Sequence, residues 1–151
     1  MTAQQTDELY MNIALQYAKF SKAQRKKVGA CLVTPNGTVL GGFNGTPSGT
    51  DNNCEILKPQ SFPNPPALET KPEVIHAELN CILKGAKEGV SVKDSVLYVS
   101  LSPCVPCASM LKQAGVKRVV YKEQYRDPSG IEYLLSNGVL VQSYEDSLKT
   151  L

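Results

Sequence analysis

Apolar residues along this chain recur in two periods, and each switch of period marks an element. Thr6, followed by Asp7 and Glu8, reads as a helix start that is acidic in its first turn. Leu9, Ile13, Tyr17 and Phe20 continue at helical spacing and predict one apolar face. Residues 21–27 break that pattern with polar and basic side chains. Residues 28–34 then read as a buried strand, Pro35-Asn36-Gly37-Thr38 as a turn, and 39–43 as a returning strand, which predicts a hairpin. Residues 44–72 hold six of the ten prolines and read as one long loop, a feature that is usually functional or mobile.

A helical pattern resumes at Glu73, behind Pro72, and Gly89 is a suitable stop. A strand over 95–101 follows, then a helix that starts at Pro103 and stops at Gly115. A short strand over 118–121, a helix over 128–137 ended by Gly138, and a strand over 139–144 complete the pattern, with a helical turn over 145–151. The order is α-β-β-α-β-α-β-α-β. The opening hairpin is antiparallel, whereas the later β-α-β steps require parallel neighbours through right-handed crossovers. The expected fold is therefore α/β with three layers, a mixed five-stranded sheet with helices on both faces.

Composition narrows the class. The chain has 151 residues, the size of one domain with a sizeable core, and 42% of them are hydrophobic. No apolar run approaches the ~18 residues of a membrane span. The start of the chain is polar and acidic and shows no secretory signal, which points to the cytoplasm, or a host's cytoplasm for a virus-encoded chain. The net charge is +2, from 16 Lys and Arg against 14 Asp and Glu, which argues against a protein that coats nucleic acid and permits a local basic pocket. Five cysteines cannot all pair within one chain, so thiols and metal ligands are expected rather than disulfides. A single histidine excludes any site that needs two from one chain.

The chemistry concentrates in two short motifs. His76-Ala77-Glu78 follows the long loop, and Pro103-Cys104-Val105-Pro106-Cys107 lies at a strand-to-helix junction. Cys104 and Cys107 share a face of the first helical turn, where unpaired N–H groups and the helix dipole favour thiolate. Two thiolates and one neutral imidazole balance Zn²⁺, and three protein ligands leave the fourth position open, as in catalytic zinc sites. Glu78, two residues past His76, can reach that position as a proton shuttle without ligating. A redox Cys-x-x-Cys is the competing reading, but it leaves His76 and Glu78 unexplained. A structural zinc would need a fourth ligand from Cys31, Cys54 or Cys81. Of these, Cys31 and Cys81 read as small buried hydrophobes.

His76-Ala77-Glu78-Leu79-Asn80 together with Leu101-Ser102-Pro103-Cys104-Val105-Pro106-Cys107 resembles the cytidine and deoxycytidylate deaminase superfamily. Val28-Gly29-Ala30, Gly42-Phe43-Asn44-Gly45-Thr46-Pro47-Ser48-Gly49 and Val120-Tyr121 leading to Tyr125 are similar to its deoxycytidylate (dCMP) branch. The resemblance runs from about Tyr10 to Tyr144, nearly the whole chain. It implies zinc-dependent hydrolysis of dCMP to dUMP and ammonia, which supplies dUMP for thymidylate synthesis. It implies Glu78 as the catalytic acid and base, and His76, Cys104 and Cys107 as ligands of one zinc per chain. It also implies that the Ala77 N–H holds the base carbonyl, and that carbonyls near Ser102 and Pro103 accept from the exocyclic amine. Asn44 would contact the sugar, and Tyr125 would close over the substrate.

For the phosphate, the resemblance points to the basic segment that contains Lys22, Arg25, Lys26 and Lys27. Arg25 is the first choice because guanidinium matches phosphate bidentately, and Arg126 is the second. A solvated basic loop would look the same in sequence. The resemblance further implies a homohexamer, activated by dCTP and inhibited by dTTP with Mg²⁺ on the triphosphate, with Gly45, Asp51 and Glu55 as contributors to the effector site. Some relatives carry a second, structural zinc on cysteines near residues 21–27 and Cys54. The first segment here has no cysteine, so Cys54 is expected to be a free thiol. Glu55 stands where relatives commonly have Asp, and residues 58–72 match no assigned feature. Deamination of tRNA adenosine or of dCTP, and a catalytically silent zinc domain that binds nucleotide, are the alternatives.

Overall fold

The computed structural model describes residues 1–149. The elements are α1 (Ala3–Lys19), β1 (Gly29–Val33), β2 (Val39–Phe43), β3 (Glu55–Lys58), β4 (Ala67–Thr70), α2 (Ala77–Glu88), β5 (Val96–Leu101), α3 (Val105–Ala114), β6 (Arg118–Glu123), α4 (Ser129–Ser136), β7 (Leu140–Ser143) and α5 (Tyr144–Lys149). The main sheet has the order β2-β1-β5-β6-β7. β1 is antiparallel to both β2 and β5, whereas β5, β6 and β7 run parallel. This is the mixed five-stranded sheet that the element order predicts.

Strand alternation separates two apolar layers. Ala30, Leu32, Leu97, Val99 and Val119 face one way and pack with Ala77, Cys81, Ala108, Leu111 and Leu134 of α2, α3 and α4. Cys31, Tyr98 and Val120 face the other way, against Met11 and Ala14 of α1, with Tyr144 at the margin. Burying each Val, Leu or Met side chain contributes about 1.5–3 kcal/mol. Cys31 and Cys81 are fully buried, as expected of small hydrophobes, and all five cysteines are free.

The structure corrects several expectations. Helix α1 begins at Ala3, because Thr2 and Gln5 form a reciprocal capping box and the Thr6 hydroxyl donates back to the Thr2 carbonyl. Its buried residues are Asp7, Met11 and Ala14, whereas Leu9 and Phe20 of the predicted apolar face are exposed. The expected loop over 44–72 contains the hairpin β3–β4. Helix α2 starts at Ala77 rather than Glu73, because Val74 closes a turn onto Lys71 and Ile75 pairs with Gly45 in a short antiparallel bridge. The last strand ends at Ser143, and α5 takes over Tyr144. Of the expected turn over 145–151, residues 150–151 lie outside the described residues.

Asp7 explains why a polar position is buried in α1. Its carboxylate accepts from Arg118 Nη1 and Nη2 at 2.9 and 2.8 Å and from the Tyr98 hydroxyl at 2.7 Å. Burial opposes its charge, but the hydrogen bonds from Arg118 and Tyr98 outweigh burial and hold the carboxyl below its ordinary value of 3.8. A lowered folded value means stability that is present above the unfolded value and lost as pH falls through the folded one. Asp7→Asn should therefore cost about 3 kcal/mol at neutral pH, because Arg118 loses its counter-charge. The deficit should narrow as the pH drops below 3.8, which urea unfolding at a series of pH values would check.

Candidate active site

The starts of α2 and α3 converge with the start of β1 and the ends of β2, β5 and β6 at one edge of the sheet. His76 is the N-cap residue of α2, with extended backbone and no capping hydrogen bond from its side chain, so the imidazole serves another purpose. Glu78 lies in the first turn of α2, where the helix dipole favours a negative charge. Cys104 is the N-cap of α3, and Pro106 occupies the first turn, which has no N–H partner to lose. Cys107 completes that turn. Gly130 of α4 presses on this junction, since a Cβ there would lie 2.0 Å from the Pro103 carbonyl oxygen.

His76 Nδ1 lies 3.1 Å from Cys107 Sγ and 3.7 Å from Cys104 Sγ. The candidate ligand atoms of the three residues lie within 4.8 Å of one another. Among the described residues this is the one cluster of three or more such groups. Glu78, 3% exposed, places Oε1 3.7 Å from the same Nδ1. Hydrogen bonds from Cys107 and His76 hold the Cys104 thiol down at about 4, whereas the hydrogen bond to Cys104 and burial push Cys107 up. Hydrogen bonding to Cys104 and Glu78 raises His76 to about 10. The three side chains compete for the same protons, and a divalent cation held between them would displace those protons. Two sulfurs and an imidazole nitrogen at this spacing are the donor set that zinc prefers.

His76, Glu78 and Cys104 line a pocket of about 280 Å³. Its walls include Arg25, Asn44, Ala77, Ser102 and Tyr125, all expected from the sequence. Asn44 does more than line it: its Oδ1 accepts from Ser21 Oγ and Val28 N, and its Nδ2 donates to the Lys26 carbonyl. The Ser102 hydroxyl accepts from Tyr125 N at 2.7 Å and so fixes the turn that brings Tyr125 to the pocket. Lys26 also lines the pocket and pairs with Glu123 at 2.7 Å. Arg126 is exposed and is not among the lining residues. Gly45 is bound to Ile75 beside the pocket, and Asp51 is exposed, with its carboxylate accepting from Asn53 N. Glu55 is 3% exposed and lines the pocket, as does Cys54, whose Sγ lies 3.6 Å from the Asn52 carbonyl.

Sequence reasoning missed Thr70, Val74 and Gly130. Thr70 lines the pocket from the hairpin β3–β4, and Val74 from the turn that closes onto Lys71 after it. Its strands are four residues each and exposed along most of their length, so their burial pattern shows no clear alternation. Gly130 acts through close approach, which its place near the start of a helix does not reveal.

Residues 4–123 match the model of the cytidine and deoxycytidylate deaminase zinc-binding region. The mouse deoxycytidylate deaminase is 38% identical over 123 residues, covering 80% of this chain and 66% of that protein, so this chain spans just under two thirds of its length. The deoxycytidylate deaminase of Enterobacteria phage T4 is 32% identical over 161 residues, covering 84% of this chain and 83% of that one. The crystal structure of the dCMP deaminase of cyanophage S-TIM5, in complex with dCMP and dUMP, superimposes with a TM-score of 0.79 at 40% identity, covering 92% of this chain and 96% of that one. With the ligand cluster and the sheet order in place, the matched region and these relatives establish that the chain belongs to the cytidine and deoxycytidylate deaminase family.

Proposed function

We propose that this protein is a zinc-dependent dCMP deaminase that forms dUMP and ammonia. The observation that carries the reading is the buried Glu78 carboxylate beside His76, Cys104 and Cys107, lining a pocket that Arg25 and Lys26 also line. Zinc held by His76, Cys104 and Cys107 would supply Lewis acidity and make hydroxide available near neutral pH. Glu78 takes the proton from water and passes it to N3 of cytosine as a C–O bond forms at C4. It then carries a proton to the amino group as the C4–N bond breaks, so that cytosine and water become uracil and ammonia. In this reading Ala77 N–H holds the base carbonyl oxygen, and carbonyls near Ser102 and Pro103 accept from the exocyclic amine. Asn44 is held by three hydrogen bonds and can offer its remaining N–H to the sugar.

Arg25 is the cation for the 5′-phosphate, with Lys26 beside it in the same pocket. Arg25→Ala should raise the KM for dCMP about tenfold to a hundredfold, the loss of a charge-assisted pair, and leave deoxycytidine kinetics nearly unchanged. Equal loss on both substrates would remove Arg25 from the phosphate site. The proposal extends to a homohexamer in the cytoplasm, regulated by dCTP and dTTP with Mg²⁺ at the loop that carries Gly45 and Asp51, and to supply of dUMP for thymidylate synthesis. A panel of dCMP, dCTP and deoxycytidine, each with and without dCTP or dTTP as effector, tests the substrate and the regulation together. The expected result is turnover of dCMP, raised by dCTP and lowered by dTTP. Turnover of dCTP alone would overturn it.

A further inference from the structure

Glu55 is a carboxylate buried in the wall of a pocket that is expected to hold an anion. Its oxygens accept from Gln24 N at 3.1 and 2.9 Å and from Arg25 N at 3.1 Å. It opens β3, and its partner in register is Thr70 at the end of β4. Thr70 Oγ1 accepts from Arg25 Nη1 at 3.2 Å. One rung of the hairpin therefore holds the same arginine twice, by the main chain through Glu55 and by the guanidinium through Thr70. Directly behind this rung, Lys71 N donates to the Cys54 carbonyl at 2.8 Å and closes the base of the hairpin.

The segment that carries Arg25 lies between α1 and β1 and has no helix or strand of its own. A long cation on such a segment loses conformational freedom when it binds a ligand, and fixing it beforehand removes that cost from binding. We propose that Glu55 and Thr70 are positioning residues that preset Arg25 for the phosphate of a nucleoside monophosphate, so that nucleotide recognition is controlled from the β3–β4 hairpin. This inference rests on the proposed dCMP reading and assigns Glu55 to the substrate side of the pocket. A carboxylate on two backbone amides could instead occupy the place of a phosphate and compete with it. The fixed strand position of Glu55, and the hold of Thr70 on the same residue, favour the anchoring role.

The two roles predict opposite signs. With zinc-loaded full-length enzyme, Glu55→Gln should raise the KM for dCMP and the Kd for dUMP about tenfold, the equivalent of one charge-assisted hydrogen bond. The kcat and the zinc content should stay within about twofold of wild type, and Glu55→Asp should recover part of the loss. Thr70→Val should shift the same two constants in the same direction by a smaller factor, and it carries the test if Glu55→Gln does not fold. Unchanged constants, a fall in kcat equal to the rise in KM, or a lower KM for dCMP would overturn the proposal, the last by showing competition with phosphate. Wild-type enzyme that does not deaminate dCMP would refute the underlying reading instead, which keeps the two failures apart.

Discussion

Glu78→Gln should lower dCMP turnover by at least about a thousandfold while zinc binding stays intact. Glu78 is 3% exposed and places its carboxylate 3.7 Å from Nδ1 of His76, in the first turn of α2 and outside the cluster of candidate ligands. Burying a charged carboxylate is unfavourable unless something nearby uses the charge, and a cation between the three ligands would do so. If Glu78 only supported His76, its amide would weaken metal binding and catalysis together. As a proton carrier, the amide keeps the shape and loses the chemistry. Metal content and initial rate, measured on one preparation, separate the two roles. Activity above about a thousandth of wild type would end the shuttle assignment.

The second large effect concerns the ligands. Cys104→Ser should lower zinc content at least about tenfold and lower turnover by at least the same factor. Cys104 is the N-cap of α3 with no capping hydrogen bond from its side chain, so its sulfur does not cap the helix. Its thiol is the one held down at about 4, first by Cys107 and then by His76, and is the most readily ionised of the pair. Wild-type protein stripped by a chelator should regain activity when zinc is restored, and Cys104→Ser should not. Metal analysis of the wild type should find about one zinc per chain, the stoichiometry of a single three-ligand site. Two per chain would mean that Cys54 also takes part in a site.

The parts of the fold that were legible from residues are those in which pattern and packing agree. The β1–β2 hairpin shows in the turn residues Pro35 to Thr38, and α2 and α3 end at Gly89 and Gly115, which adopt left-handed backbone at φ 72° and 90°. The candidate metal-binding cluster of His76, Cys104 and Cys107 was legible because a three-ligand zinc site would impose residue types and spacing. What was missed depends on tertiary partners. Asp7 looks like an exposed first-turn acid until Arg118, more than a hundred residues away, is placed beside it. The β3–β4 hairpin has short, largely exposed strands, so nothing in its periodicity distinguishes it from loop. The resemblance groups Glu55 with the effector loop, and only the fold reveals that its carboxylate also reaches the amides of Gln24 and Arg25.

The pocket joins these observations. The carboxyl-terminal ends of β2, β5 and β6 and the start of β1 meet at one edge, the usual place for a site in an open α/β sheet. Two helix starts bring together His76, Glu78, Cys104 and Cys107, and the β3–β4 hairpin holds Arg25 through Glu55 and Thr70. The central claim is hydrolytic deamination of dCMP at this site. Incubating zinc-loaded wild-type protein with dCMP and following dUMP and ammonia together tests it most directly. The account predicts equal amounts of both products, and no turnover by chelated protein until zinc is added back. No dUMP from the zinc-loaded protein, even with dCTP present as activator, would contradict it.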